Sequence, residues 1–81
     1  MVHIFGTDNC SFCVKAKQLA DQYNIKYQYY DAVENKQQFK ELFPNAKTVP
    51  QITWNGRYIG GYNAFAEEIE NTIGGYGDGK I

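Results

Sequence analysis

The run Val2-His3-Ile4-Phe5, Gly6-Thr7-Asp8-Asn9, Cys10-Ser11-Phe12-Cys13 decides how the rest of the chain is read. Its first part is short, apolar and rich in β-branched and aromatic residues, the pattern of a strand buried on both faces. Its middle breaks that strand with glycine and small polar residues, and Asp8 or Asn9 is suited to cap a helix. Its end sets the chain's two cysteines with two residues between them, so that one turn of helix brings both sulfurs together. A thiol at a helix N-terminus faces unpaired backbone N–H groups and the positive end of the helix dipole. Both favour thiolate, so the pKa of Cys10 is expected to fall below the free value of about 8.5. Cys13 should lie beside the inward stripe of the helix, with Cys10 at its exposed tip. A thiolate with a second thiol one turn away is the minimum equipment for thiol–disulfide exchange. The competing reading, two ordinary buried thiols, fits the helix-tip placement poorly.

Outward from this run, helical spacing continues through Phe12, Ala16, Leu19, Ala20 and Tyr23, with Lys15, Lys17, Gln18, Asp21 and Gln22 turned to water. Asn24 is a plausible left-handed stop. Ile25-Lys26-Tyr27-Gln28-Tyr29 alternates and reads as a second strand. Strand, helix, strand makes a βαβ unit with parallel strands and a right-handed crossover. Glu34 to Phe43 reads as a second helix with Phe39, Leu42 and Phe43 inward, ended by Pro44-Asn45. Thr48-Val49-Pro50 precedes a third strand, Gln51-Ile52-Thr53-Trp54. Asn55-Gly56 marks a type I′ hairpin, which returns Tyr58-Ile59 antiparallel. Asn63 is suited to cap a third helix, with Phe65, Ile69 and Ile73 inward and Glu67 and Glu68 near its start. The order βαβ–α–ββα predicts an α/β fold, a four-stranded mixed sheet with helices on both faces. The glycine-rich stretch 74–81 is expected to fray.

Size and charge limit the function. Eighty-one residues make one domain, 1–81, stabilised by five Phe, seven Tyr and one Trp. A net charge of −1, from 8 basic and 9 acidic residues, offers no concentrated basic face for nucleic acid or anionic membranes. No apolar run approaches the roughly 20 residues of a membrane span. The N-terminal residues lack the basic start and apolar core of a signal peptide, so a reducing, cytoplasmic setting is expected. There a close cysteine pair is catalytic or metal-binding rather than a staple. Zinc needs two further ligands, and His3, the one histidine, lies in the buried strand as a packed imidazole. Tyr27, Tyr29 and Tyr30 read as strand packing, since no basic stripe accompanies them to make a surface for bases. Trp54 reads as core. Lys15 and Lys17 read as solvated helix face, and Lys36, Gln38 and Lys40 as exposed. Phe12 is placed either against substrate beside the thiolate or in the core.

Three separated motifs resemble the glutaredoxin family, in its short bacterial or phage dithiol form. They are Phe5-Gly6 with Cys10-x-x-Cys13-Val14-Lys15-Ala16-Lys17, then Thr48-Val49-Pro50-Gln51-Ile52, then Ile59-Gly60-Gly61-Tyr62. Thioredoxins usually carry Trp before the first cysteine and Gly-Pro between the pair; here stand Asn9 and Ser11-Phe12. The resemblance implies a thioredoxin-like fold and a glutathione-dependent oxidoreductase, a monomer, reducing protein disulfides such as that of ribonucleotide reductase. It implies that Cys10 attacks, that Cys13 resolves, and that glutathione regenerates the pair. It implies a cis Pro50 against the cysteines, with the Val49 backbone free to pair with a substrate segment. It also implies a glutathione seat made by Phe12, Thr48, Val49, Pro50, Gly61, Tyr62 and Asn63. There the helix start at Gly61-Tyr62-Asn63 would take the γ-glutamyl carboxylate. Three positions depart from the family. Thr7 replaces a frequent Lys or Arg, Ala64 an acidic residue, and Ser11 the usual Pro. Ser11 accompanies a 2Fe-2S cluster held between two subunits in some members, so cluster binding is the alternative reading. A carrier fed by thioredoxin reductase is another, motivated by Thr7 and Ala64.

Overall fold

The structure is a computed structural model that describes residues 1–71. The expectations for Ile73 and for the 74–81 stretch lie outside those residues. The elements run β1 (Val2–Gly6), α1 (Ser11–Gln22), β2 (Tyr27–Asp31), α2 (Lys36–Leu42), β3 (Gln51–Trp54), β4 (Arg57–Gly60) and α3 (Tyr62–Ile69). The strands form one sheet in the order β2-β1-β3-β4. β1 pairs parallel with β2 and antiparallel with β3, and β3 pairs antiparallel with β4. The sheet is therefore mixed, as the element order required.

The two-residue period of β1 divides the core between the two faces of the sheet. Val2 and Ile4 point to one face, where Ala16 and Ala20 of α1 and Phe65 and Ile69 of α3 close over them and Ile52. Phe5 points to the other. There it stacks on Tyr30 at 4.8 Å and meets Phe39 at 6.0 Å and Phe43 at 5.5 Å, so that α2 covers this face. His3 shares the α2 face but is only half-buried, edge-on to Tyr30 at 5.6 Å, and is not the core imidazole expected.

Several local expectations move by a turn or less. The inward line of α1 is Cys13, Ala16 and Ala20, whereas Phe12 and Tyr23 are exposed. Small residues suit a helix seated closely on a sheet and beside a second helix; the two aromatics lie at the helix ends, past that contact. Asn24 adopts φ 57° and stops the helix. The Ile25 N–H donates to the Ala20 carbonyl at 2.8 Å and the Asn24 N–H to the Asp21 carbonyl at 3.1 Å, the paired bonds of a Schellman motif. Ile25 thus closes α1, and β2 starts two residues later than its alternation suggested. In α2, Phe39 and Phe43, one turn apart, face Phe5, while Leu42 is 51% exposed. Gly61 caps α3; Asn63 lies inside the helix and is exposed. Glu67 and Glu68 sit in the second half of α3, where Glu68 pairs with Arg57 of β4. Trp54 is half-buried, edge-on to Phe65 at 5.9 Å. The Asn55-Gly56 hairpin is as read, with φ 54° and 84°.

Candidate active site

Cys10 itself occupies the N-cap of α1, the place the sequence reading gave to Asp8 or Asn9. Its sulfur accepts the Cys13 backbone N–H at 3.1 Å, which is the bond a capping oxygen would make. That donor serves a negatively charged sulfur better than a neutral one, because hydrogen bonds to charged acceptors are stronger. The Cys10 thiol in turn donates to the Val49 carbonyl at 3.6 Å, across 39 residues of sequence.

The two cysteines stand in different surroundings. Both are free thiols; Cys10 is partly exposed and Cys13 is fully buried. Burial pushes the Cys13 thiol up from its ordinary 9.0 to about 11, and Cys10 beside it adds to the rise. Contacts with the Thr7 backbone and the Tyr29 hydroxyl act in the opposite direction. One sulfur is thus reachable from solvent, and its mate is held behind it with its proton on.

A cleft of about 330 Å³ opens beside Cys10, lined by Phe12, Thr48, Val49, Pro50, Gly61, Tyr62, Asn63 and Ala64. All seven residues that the resemblance assigned to a glutathione seat border this one space. They come from three places in the chain: the start of α1, the loop before β3 and the start of α3. The Val49–Pro50 bond is cis. Phe12 and Tyr62 approach at 5.8 Å between ring centroids, joining the starts of α1 and α3. This decides the alternative left open for Phe12: its ring is half exposed at the cleft and not in the core. Lys15 reaches over that ring at 5.1 Å. Lys36, Gln38 and Lys40 are exposed and do not line the cleft. A second cleft of about 320 Å³, between residues 42–46 and Tyr58, lies by α2 and contains no thiol.

Four residues have places at the site that the sequence reading did not assign to them. Gln51, 6% exposed, donates to the Thr48 carbonyl at 3.0 Å and accepts the Tyr58 hydroxyl at 2.6 Å, tying the cleft loop to the hairpin. Tyr29 donates its hydroxyl to the Thr7 carbonyl at 3.1 Å, behind the cysteines. Lys17, read as solvated, places its ammonium 4.0 Å from the centre of the Tyr29 ring. Gly6 has no room for a side chain: a Cβ there would lie 2.5 Å from Cys13 Sγ and 2.6 Å from the Tyr29 hydroxyl. The sequence carried one usable signal for Tyr29. Its alternation with Tyr27 puts both on one face of the sheet, and a parallel βαβ unit turns one face towards α1.

Among the described residues, no group of three or more His, Cys, Asp or Glu side chains is placed to hold a metal ion. A 2Fe-2S cluster takes four thiolate-type ligands. With Cys13 buried, one chain offers a single reachable sulfur, so a cluster held between two subunits would draw Cys10 from each and its remaining ligands from outside the chain.

The geometry has counterparts in known proteins. A family model described as glutaredoxin matches residues 2–59. The chain is similar to glutaredoxin 1 of Escherichia coli (strain K12), with 34% identity over 79 residues, covering 86% of this chain and 93% of that protein. It is 37% identical over 65 residues to mitochondrial glutaredoxin-2 of Homo sapiens, covering 74% of this chain and 40% of that protein. Among solved structures, reduced Escherichia coli glutaredoxin matches with a TM-score of 0.74 at 32% identity, covering 89% of this chain and 95% of that one. The sheet and its three helices are the thioredoxin-like fold of these structures.

Proposed function

This chain belongs to the glutaredoxin family and is a thiol–disulfide oxidoreductase, and from that premise we propose that glutathione is the thiol that turns it over. The observation that carries the proposal is the link between reactive sulfur and cleft. Val49 both accepts the Cys10 thiol and lines the space where a second sulfur compound would lie.

The steps follow from the unequal thiols. Cys10 attacks a substrate disulfide, forming a mixed disulfide and releasing one substrate thiolate, which takes a proton. Cys13 loses its proton and attacks Cys10 Sγ, forming the Cys10–Cys13 disulfide and releasing the second substrate thiol. A glutathione thiolate then attacks Cys10 Sγ, freeing Cys13 and leaving glutathione on Cys10. A second glutathione attacks the glutathione sulfur, releasing glutathione disulfide and restoring Cys10. Cys10 takes the attack because it is the exposed sulfur.

The cleft supplies complementary groups. The Val49 backbone would pair with the cysteinyl segment of glutathione as an added strand. The backbone N–H groups at the start of α3, by Gly61-Tyr62-Asn63, would hold the γ-glutamyl carboxylate. Phe12 and Tyr62 would wall the space, with Thr48 and Pro50 at its floor. Ala64 offers no carboxylate to the glutathione amino group, and Thr7 no positive charge. Protein disulfides, ribonucleotide reductase among them, would be clients of a monomer working in a reducing compartment such as the cytoplasm.

Turnover of a small glutathione mixed disulfide, coupled to NADPH through glutathione reductase, tests this reading. Cys10→Ser is expected to abolish turnover, and Cys13→Ser to retain it, because a glutathione mixed disulfide on Cys10 needs no resolving thiol. Equal loss in both variants would contradict the roles. Reduction by thioredoxin reductase with none by glutathione would replace glutathione as the reductant.

A further inference from the structure

Cys13 must lose a proton from a buried position before it can attack Cys10, and solvent does not reach it. Something within the protein has to stabilise the charge that this leaves on sulfur. The groups around it are few. Cys10 and the Thr7 backbone come from the loop before α1, Tyr29 from β2 and Lys17 from the next turn of α1, with Asp8 acting on Tyr29 from the loop.

The Thr7 backbone already favours the ionised sulfur, and among the side chains Tyr29 brings a further hydrogen-bond donor to it. Its hydroxyl and Cys13 Sγ crowd the same point above Gly6, 2.6 Å and 2.5 Å from where a Cβ would stand. In the resting chain this hydroxyl donates to the Thr7 carbonyl at 3.1 Å. A hydroxyl hydrogen turns about its C–O bond, so the donor can be redirected without moving the ring.

We infer that Tyr29 serves the resolving step by turning its O–H from the Thr7 carbonyl to the Cys13 sulfur as that sulfur ionises. The inference rests on the reading above that Cys13 resolves the mixed disulfide. Two further observations support it. Burial and the neighbouring Cys13 and Cys10 push Tyr29 up to about 12, so the phenol keeps its proton and remains a donor across the working range. The Lys17 ammonium sits over the ring, 4.0 Å from its centre, and the attraction holds the phenol in place beside Cys13. The bonds balance without any added reagent. The Cys13 proton passes to the departing thiolate, the Cys10–Cys13 bond forms, and the bond from Cys10 to substrate sulfur breaks.

An aromatic disulfide that releases a coloured thiolate separates the two steps. The first equivalent reports attack by Cys10 and the second reports resolution by Cys13. Tyr29→Phe keeps the ring beneath Lys17 and removes only the hydroxyl. It is expected to leave the first phase unchanged and to slow the second about tenfold at neutral pH, the size of one hydrogen bond to a charged group. The pH profile of the second phase should move up by about one unit, the same factor expressed as a pKa change. A fluorinated tyrosine at position 29, a stronger donor, should move that profile the opposite way; a purely structural role for the hydroxyl would not produce opposite shifts. It also keeps the test open if Tyr29→Phe does not fold. An unchanged second phase and an unmoved profile in both variants would overturn the inference while leaving the resolving role intact. Release of only one equivalent by the unaltered chain would overturn the resolving role, and the inference with it.

Discussion

Replacing Gly6 by alanine probes the joint between fold and chemistry. The added Cβ would stand 2.5 Å from Cys13 Sγ, 2.9 Å from Cys13 Cβ and 2.6 Å from the Tyr29 hydroxyl. Relaxed contacts between such atoms lie near 3.5–4.0 Å, so about an ångström must be found against three atoms at once. None of the three belongs to a long surface side chain: Cys13 is fixed on the inward face of α1, and Tyr29 is anchored at both ends. Overpacking of this kind costs about 1–3 kcal/mol. The lost freedom of the unfolded chain returns about 0.4–1 kcal/mol, leaving a net loss centred on roughly 1.3 kcal/mol. For a domain of this size that lowers Tm by about 4–8 °C per kcal/mol. The same shift drives Cys13 away from Cys10, so resolution should slow in step with stability. Thermal unfolding followed by circular dichroism under reducing conditions gives the first quantity, and the second phase of thiolate release gives the second. A Tm and a second phase both equal to those of the unaltered chain would refute the crowding argument.

Stability should also fall in alkali. Cys13 is raised from 9.0 to about 11 and Tyr29 from 10.0 to about 12, so above pH 9 the unfolded chain sheds protons that the folded chain keeps. The stabilisation is complete below about pH 9 and declines as pH rises towards 11 and 12, because the folded state then binds more protons than the unfolded. Reducing thermal melts at increasing pH check this, and a Tm that held steady or rose through that window would contradict it. Phe65→Ala empties a fully buried site against Trp54 and should cost about 3–5 kcal/mol, enough to leave much of so small a protein unfolded. A cooperative transition within a few degrees of the original would show that Phe65 is not central to the core. Arg57→Ala breaks the pair with Glu68, but Arg57 is 67% exposed, so the loss should be under about 1 kcal/mol and vanish in high salt. A larger, salt-independent loss would mean that the pair is structural.

The parts of the chain that were legible in sequence were those with strong local chemistry. Asn55-Gly56 could be read as a hairpin because positive φ at two successive residues admits few other pairs. Asn24 could be read as a stop for a related reason, since asparagine tolerates the left-handed region. The order of elements followed, and with it the mixed sheet. What stayed hidden depended on tertiary fit. Phe12 and Tyr23 follow helical spacing as well as Ala16 and Ala20 do, but only the small residues can approach the sheet beside α3. Leu42 matches the period of α2, yet the face that counts is set by Phe5, which Phe39 and Phe43 already cover. Asp8 and Asn9 are better caps than cysteine by preference alone. The Cys10 sulfur takes the position because Val49, remote in sequence, faces it there. The cleft was assembled in advance only through the resemblance of three separated motifs. Spacing alone would not have joined Phe12, Val49 and Tyr62, because contacts between distant loops leave no period in sequence. The closeness of Gly6 and Tyr29 to Cys13 was hidden for the same reason, although alternation hinted at the face Tyr29 occupies.

The central claim is that the two thiols are unequal, with Cys10 open to attack and Cys13 shut behind it. Brief alkylation of the reduced, folded chain at neutral pH, with the modified residue located by peptide mass mapping, tests this most directly. The account predicts rapid labelling of Cys10, while Cys13 stays unlabelled until the chain is unfolded. Labelling of both sulfurs at the same rate, or of Cys13 first, would contradict it.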